Sequence, residues 1–159
     1  KKQFQLNVEE FNLHEIIEQA VLNISCTETD KQIKLLNALN AENATIFADK
    51  VHTTNVVCNI IENAIKYSGK EVVIKINTYN IDAHSLVLEI IDNGEGIEKK
   101  EIKKIFDKFY RISNGDVHNV KGFGLGLFYV KQIVKAHKWK LEVTSKPMKE
   151  TCFKLKINL

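Results

Sequence analysis

Apolar residues recur along this chain at two different periods, and the alternation between them outlines a protein that mixes helices and strands. From Asp49 to Tyr67, the residues Val57, Ile60, Ile61, Ala64 and Ile65 fall at steps of three and four, which covers one face of a helix with 3.6 residues per turn. Leu127, Val130, Ile133 and Val134 repeat that spacing within 124–137, and Phe11 to Ile24 reads as a further helix. Between them lie short β-branched runs, of which Ser85-Leu-Val-Leu-Glu-Ile-Ile91 is the clearest and reads as a largely buried strand. The full pattern predicts strand 3–8, helix 11–24, strand 33–39, helix 49–67, strands 71–80 and 85–92, a short helix 98–104, a lid, helix 124–137, and strands 139–146 and 151–158. Long crossovers early and a hairpin at the end imply a mixed sheet with helices on one face, an α/β (α+β) two-layer sandwich.

The helix from 49 to 67 has an unusual polar side. Asp49 is placed to cap it, and Asn55, Asn59, Glu62, Asn63 and Lys66 form a narrow stripe opposite the apolar face. A solvated stripe is the ordinary explanation. Asparagine is a poor helix former, however, and Glu, Lys or Gln would serve a solvent face better. Amide oxygens at this spacing suit Mg²⁺, a cation that favours oxygen ligands and retains waters, with Lys66 within reach of a phosphate.

Six of the seven glycines lie between Gly94 and Gly126. Glycine costs conformational entropy, so such clustering marks backbone that approaches something closely or takes positive φ. The first cluster, Asp92-Asn-Gly94-Glu-Gly96-Ile97, follows the strand 85–92 and leaves Asp92 at its end. An ionised carboxylate only accepts hydrogen bonds, so it selects a ligand edge that donates, such as the 6-amino group of adenine. Guanine presents a carbonyl there, a mismatch of about 1–3 kcal/mol in a dry site. An ordinary turn is the competing explanation, since Asp, Asn and Gly dominate turns for local reasons. The second cluster, Gly122-Phe-Gly124-Leu125-Gly126-Leu127, opens the last helix. Unpaired N–H groups and the positive end of the dipole make a helix start a cradle for phosphate. Its Gly-x-Gly-x-Gly spacing matches neither the dinucleotide fingerprint nor the Walker pattern; a glycine-softened hinge is the alternative.

These elements, in this order, resemble the ATP-binding domain of bacterial sensor histidine kinases, of the Bergerat type. Asn59-Ile-Ile-Glu-Asn63-Ala-Ile-Lys66-Tyr67-Ser68 resembles the N box, Asp92 to Ile97 the G1 box, Phe106-Asp-Lys-Phe109-Tyr110-Arg111 the F box, and Gly122 to Leu127 the G2 box. The resemblance implies ATP and Mg²⁺ as cofactors. It places the adenine amino group on Asp92, Mg²⁺ on Asn63 with Asn59 nearby, phosphate on Lys66, and base or ribose beside Tyr67. Gly94, Gly96 and Ile97 belong to the same pocket, and Gly122, Gly124, Leu125 and Gly126 line its phosphate side. The segment from about Phe106 to Phe123 would be the lid, anchored by Phe106 and Phe109, with Lys108, Arg111 and Lys121 able to meet phosphate charge. Asn59, Lys66 and Arg111 are the candidate catalytic residues.

The implied activity is transfer of the ATP γ-phosphoryl group to a histidine on a separate helical domain, within a two-component pathway that ends at a response regulator. Related gyrase, mismatch-repair and chaperone ATPases commonly carry glutamate where Asn59 stands. An amide cannot act as a general base, so slow intrinsic hydrolysis is expected. Glu62 is a rival base, though more simply a solvated glutamate. No histidine here has the family's phosphoacceptor context: His14 offers only His-Glu and is expected on the outer face of its helix, while His52, His84, His118 and His137 read as surface, turn or helix-end residues. The acceptor is therefore expected in a domain outside residues 1–159, which read as one catalytic ATP-binding domain. The opening Lys1-Lys2 agrees with a piece of a longer, homodimeric sensor, this part cytoplasmic and the parent membrane-anchored. A stand-alone serine kinase acting on a sigma-factor antagonist, or a non-catalytic ATP-binding module, are the alternatives.

Composition narrows the partners. With 23 basic and 20 acidic side chains the net charge is +3 and no basic stripe forms, so neither nucleic acid nor a membrane surface is indicated. Cys26, Cys58 and Cys152, odd in number and widely spaced, read as buried reduced thiols. Three departures from the family pattern stand out: Lys138-Trp139 where two glycines are usual, Glu150-Thr-Cys-Phe153 where Gly-Thr-x-Phe is, and Phe123 in place of a common threonine.

Overall fold

The computed structural model describes residues 4–26, 29–110 and 126–159. In chain order the elements are β1 (Val8–Asn12), α1 (Leu13–Ser25), β2 (Gln32–Leu39), β3 (Thr45–Asp49), α2 (Lys50–Lys66), β4 (Glu71–Asp82), β5 (Ser85–Asp92), α3 (Lys99–Ile102), α4 (Gly126–Ala136), β6 (Lys140–Lys146) and β7 (Glu150–Asn158). The main sheet has the order β2-β4-β5-β7-β6, in which β2 runs parallel to β4 and every other pair is antiparallel. It is the mixed sheet that the strand pattern predicts.

Period-two alternation builds one buried face. Val72, Ile74, Ile76 and Thr78 of β4, Leu86, Leu88 and Ile90 of β5, and Thr151, Phe153, Leu155 and Ile157 of β7 are all buried. Their cross-strand register places them side by side. The layer that covers them comes from α1 (Leu13, Ile16, Ile17, Ala20, Ile24), α2 (Val56, Val57, Ile60, Ile61, Ala64) and α4 (Val130, Ile133, Val134). No helix among the described residues is long and apolar enough to cross a membrane.

Three expectations change. The first strand is Val8–Asn12 rather than 3–8, because it pairs with β3, a strand the apolar pattern does not predict. At five residues, running directly into the cap of α2, β3 shows too little alternation to stand out. Second, His14 does not face solvent: it is half-buried, its Nε2 lies 2.8 Å from the Thr78 hydroxyl, and burial lowers its pKa despite the opposing charge of Glu18. Third, Cys26 is exposed and Cys58 and Cys152 are half-buried, all three free thiols. Burial pushes the Cys152 thiol up to about 11, helped by Glu89, so it stays protonated at neutral pH.

The turn after α4 accommodates the missing glycines in a definite way. Lys138 adopts φ 59°, a left-handed conformation that glycine takes without strain. The next residue, Trp139, is buried and stacks on His137 with ring centroids 4.2 Å apart, which offsets that cost.

Asp49 ties the small β1–β3 sheet to α2. Its Oδ1 accepts the His52 N–H at 3.0 Å as an N-cap, and its Oδ2 accepts the Asn7 N–H at 2.9 Å. Burial alone would raise its pKa, but these two bonds, with the nearby His52 and His137, hold the carboxyl below its ordinary 3.8. A depressed carboxyl contributes stability above the unfolded-state pKa and loses it as pH falls through the folded one. Asp49→Ala is expected to cost about 1–2 kcal/mol in urea denaturation at pH 7, and the gap to the native chain should shrink below about pH 4.

Candidate functional site

α2 links the elements of the site: its polar side meets the first turn of α4, and its C-terminal end meets the loop that follows β5. Each is positioned by the core beneath it. Asn59 and Asn63 lie on α2 between the buried Ile60, Ile61 and Ala64, and both are half-buried rather than solvated. The Asn59 Nδ2 donates to the Asn55 carbonyl at 2.8 Å, which fixes the amide. Its Oδ1 then faces α4: a Cβ on Gly126 would stand 2.9 Å from that oxygen. Glycine at the start of α4 therefore lets the helix end approach the amide to a distance that a side chain would obstruct.

Asp92 occupies an inward position of the sheet. The alternation that buries Leu86, Leu88 and Ile90 continues by one more step to Asp92, whose neighbours in register are Ile74 and Thr151. A carboxylate thus stands where the next core side chain would be. Burial raises its pKa from 3.8 to about 6; the Gly94 N–H, donated to Oδ1 at 2.8 Å, partly opposes this, and Glu150 adds to it.

The loop after Asp92 is held on both sides. Asn93 extends the pairing with β4: its N–H donates to Val73 O at 3.2 Å, while its side chain accepts from Val73 N at 2.9 Å and donates to Glu71 O at 3.1 Å. Gly94 packs so closely that a Cβ would lie 2.7 Å from Asp92 Oδ1 and 3.1 Å from both the Ser68 hydroxyl and the Tyr67 carbonyl. The Glu95 N–H donates to that Tyr67 carbonyl at 3.4 Å. Gly96 takes φ 73° and faces Lys146 O at a distance where no side chain fits. Ile97 N donates to the Ser145 hydroxyl at 2.6 Å, so the far hairpin buttresses the loop. The structure thereby brings Asn59 against Gly126 and Tyr67 against Gly94, itself bonded to Asp92, with Asn63 and Lys66 on α2 between those two contacts, while Gly96 and Ile97 rest on the β6–β7 hairpin.

The aromatic pair of the third box separates. Phe106 is half-buried against Phe153, edge to face with centroids 6.5 Å apart. Phe109 is 61% exposed with φ 65°, its ring facing the Lys108 ammonium, and it anchors nothing in the core. Arg111, Lys121, Gly122, Phe123, Gly124 and Leu125, with the polar stretch predicted between Ser113 and Asn119, lie outside the described residues.

Helical spacing does not announce a second α2–α4 contact. His52 Nδ1 hydrogen-bonds the Tyr129 hydroxyl, which also accepts from Asn55 Nδ2 at 3.4 Å, and the Phe4 ring packs edge-on against both rings. Further along, His137 Nδ1 pairs with Ile133 O and Nε2 accepts the Asp49 N–H at 3.0 Å. His52 and His137 read from the sequence only as surface, turn or helix-end residues, and nothing in the spacing marks Tyr129 as a partner.

Chemically the site offers an acceptor-only carboxylate in an apolar wall, two amides and an ammonium on one helix, and a helix N-terminus facing them. Among the described residues no cluster of three or more His, Cys, Asp or Glu could hold a metal. Comparison with known proteins adds to this geometry. The family model of histidine kinase-, DNA gyrase B- and HSP90-like ATPases matches residues 48–159. The sensor protein RprX of Bacteroides fragilis is 42% identical over 143 residues, 88% of this chain and 27% of its own length. The sensor histidine kinase WalK of Bacillus subtilis is 31% identical over 138 residues, 86% of this chain and 22% of its own. The chain thus spans well under half of these curated relatives. The catalytic domain of histidine kinase ThkA superposes with a TM-score of 0.81 over 96% of either chain at 22% identity, a likeness of fold.

The raised Asp92 carboxyl has a measurable cost. Between about pH 4 and pH 6 the folded state binds a proton that the unfolded chain releases, so stability falls as pH rises through that window and then levels. Asp92→Asn is expected to be more stable than the native chain above pH 6, by roughly 1–3 kcal/mol, with the difference fading toward pH 4. Urea denaturation of both chains across pH 4–8 measures it; a difference between them that does not change with pH in that window would contradict the burial argument.

Proposed function

Because the chain belongs to the histidine kinase-, DNA gyrase B- and HSP90-like ATPase family, we propose that it is the catalytic ATP-binding domain of a two-component sensor kinase. Its reaction would move the γ-phosphoryl group of ATP to a histidine on a separate helical domain, from which a response regulator takes it. The observation that carries the reading is that α2 meets the glycine start of α4 at Asn59 and, at its end, the loop that holds the buried Asp92. The sensor proteins RprX and WalK support the kinase over a stand-alone serine kinase or a non-catalytic module.

Asp92 would accept the adenine amino group. In its apolar wall the ionised carboxylate gains most from a ligand that donates, and guanine would set carbonyl against carboxylate. Lys66 would pair with phosphate, and the α4 terminus would add N–H donors and its dipole to the same charge. Tyr67 would border the base or ribose. The solved complex of full-length ShkA with AMPPNP, which has this fold at 20% identity and a TM-score of 0.84, is in keeping with a nucleotide ligand. Arg111 and Lys121 would add positive charge from the lid side, with Gly122, Gly124 and Leu125 extending the cradle.

Mg²⁺ fits the donor set that α2 presents. The Asn55 carbonyl holds the Asn59 amide with its oxygen toward α4, and Asn63 lies one turn along. Hard amide oxygens in small number suit a cation that keeps most of its waters and shares phosphate oxygens. Asn63, with Asn59 beside it, would hold the ion, which when bound neutralises phosphate charge during transfer.

Asn59 also decides what the domain does not do. An amide cannot take a proton from water at neutral pH, and Glu62 is exposed on the outside of α2. ATP should therefore persist until a histidine is presented. Calorimetric titration with a non-hydrolysable ATP analogue is expected to show Mg²⁺-dependent binding, weakened at least tenfold by Asp92→Asn. Affinity should fall below about pH 6 as Asp92 takes up its proton. Supplied with Mg²⁺-ATP and a helical hairpin bearing the acceptor histidine, the domain should phosphorylate that histidine while hydrolysing ATP slowly alone. Fast turnover without an acceptor would refute the assignment of Asn59.

A further inference from the structure

We infer that Lys31 is a positioning residue for the nucleotide site, acting from the far side of α2 through its last carbonyl groups; the inference rests on the nucleotide-binding reading above. Lys31 is half-buried and lies immediately before β2, its backbone held where Gln32 N donates to Lys70 O at 2.7 Å. From there the side chain crosses to the end of α2. Its Nζ donates to Ile65 O at 2.6 Å, to Ser68 O at 2.9 Å and more weakly to Lys66 O at 3.4 Å.

The Ile65 and Lys66 carbonyls lie in the last turn of α2, at the negative end of its dipole, where Ile65 O receives only a long 3.4 Å bond from Ser68 N; Ser68 O lies just beyond the helix. An ammonium has three donors, so one side chain answers three acceptors. The peptide units it grips are those from which Lys66 and Tyr67 project. The same stretch of backbone reaches the loop after β5: Tyr67 O accepts the Glu95 N–H, and the Ser68 hydroxyl, which donates to Ala64 O, lies 3.1 Å from where a Cβ on Gly94 would stand. Gly94 in turn donates to Asp92. Lys31 thereby fixes one end of a connected path through phosphate-side Lys66, Tyr67, Gly94 and base-side Asp92, without touching the ligand.

Lys31→Met keeps the length and apolar stem but removes the charge and every donor; Lys31→Arg keeps a cation with several donors. Each variant is compared with the native chain by titration with a non-hydrolysable Mg²⁺-ATP analogue, at a temperature where circular dichroism shows full folding, and by amide exchange at Gly94 and Glu95. Lys31→Met should weaken analogue binding at least fivefold and speed exchange at Gly94 and Glu95 relative to α1, and Lys31→Arg should recover most of both. A variant that only melts earlier, with affinity and loop exchange unchanged, would reduce Lys31 to a stabilising cap and overturn the inference. If the native chain bound no analogue, the nucleotide reading would fall, and the exchange data would still decide whether Lys31 holds the loop.

Discussion

The orientation of α2 about its own axis is the constraint on which the rest of the site depends. Rotating the helix by one residue, about 100°, would turn the asparagine stripe into the core and lift Ile60 or Ile61 into the cleft. Packing on α1, α4 and the sheet resists this, and polar ties at both ends remove the remaining freedom. At the start, the Asp49 carboxylate accepts from Asn7 and His52 while its own N–H goes to His137, just beyond the end of α4. At the finish, the Lys31 ammonium holds the carbonyls. Between them Gly126 lets α4 come down on Asn59.

Asp92 shows the opposite economy. The alternation of β5 reserves its position for an apolar side chain, and a carboxylate there opposes folding, as its upward displacement to about 6 records. Under the proposed nucleotide reading, that cost would be offset by what the carboxylate offers a ligand, in line with the general opposition between stability and activity at functional positions. The loop beyond it is correspondingly over-determined, with Asn93 stitched to β4, Gly96 wedged against Lys146 and Ile97 bonded to Ser145.

Much of this was legible in the residues because it follows from period and composition. The apolar face of α2, the strand leading to Asp92 and the helix after the glycines have long, one-signed patterns, and the structure places them within a residue or two of the expected bounds. β3 was hidden because five residues merging into a helix cap show no period. Lys31 and the His52–Tyr129 pair were hidden for another reason: their partners lie 34 to 77 residues away, and a lysine or tyrosine carries no local mark of what it will meet. Phe109 was misleading, since an aromatic residue near a core does not reveal that its backbone turns it outward at positive φ.

The strand order has a consequence for how copies of this domain behave toward one another. The main sheet ends in β2 on one side and β6 on the other, each with a row of backbone groups facing away from its partner strand. Along β6 the exposed positions include Lys140, Glu142 and Lys146, charges that repel an incoming strand. β2 is guarded less: Lys34 is followed by an exposed Leu36 and then by Asn37, and its row runs parallel to β4 over eight residues. Of the two margins, β2 is the adhesive one, so edge-to-edge association in concentrated solution would begin there.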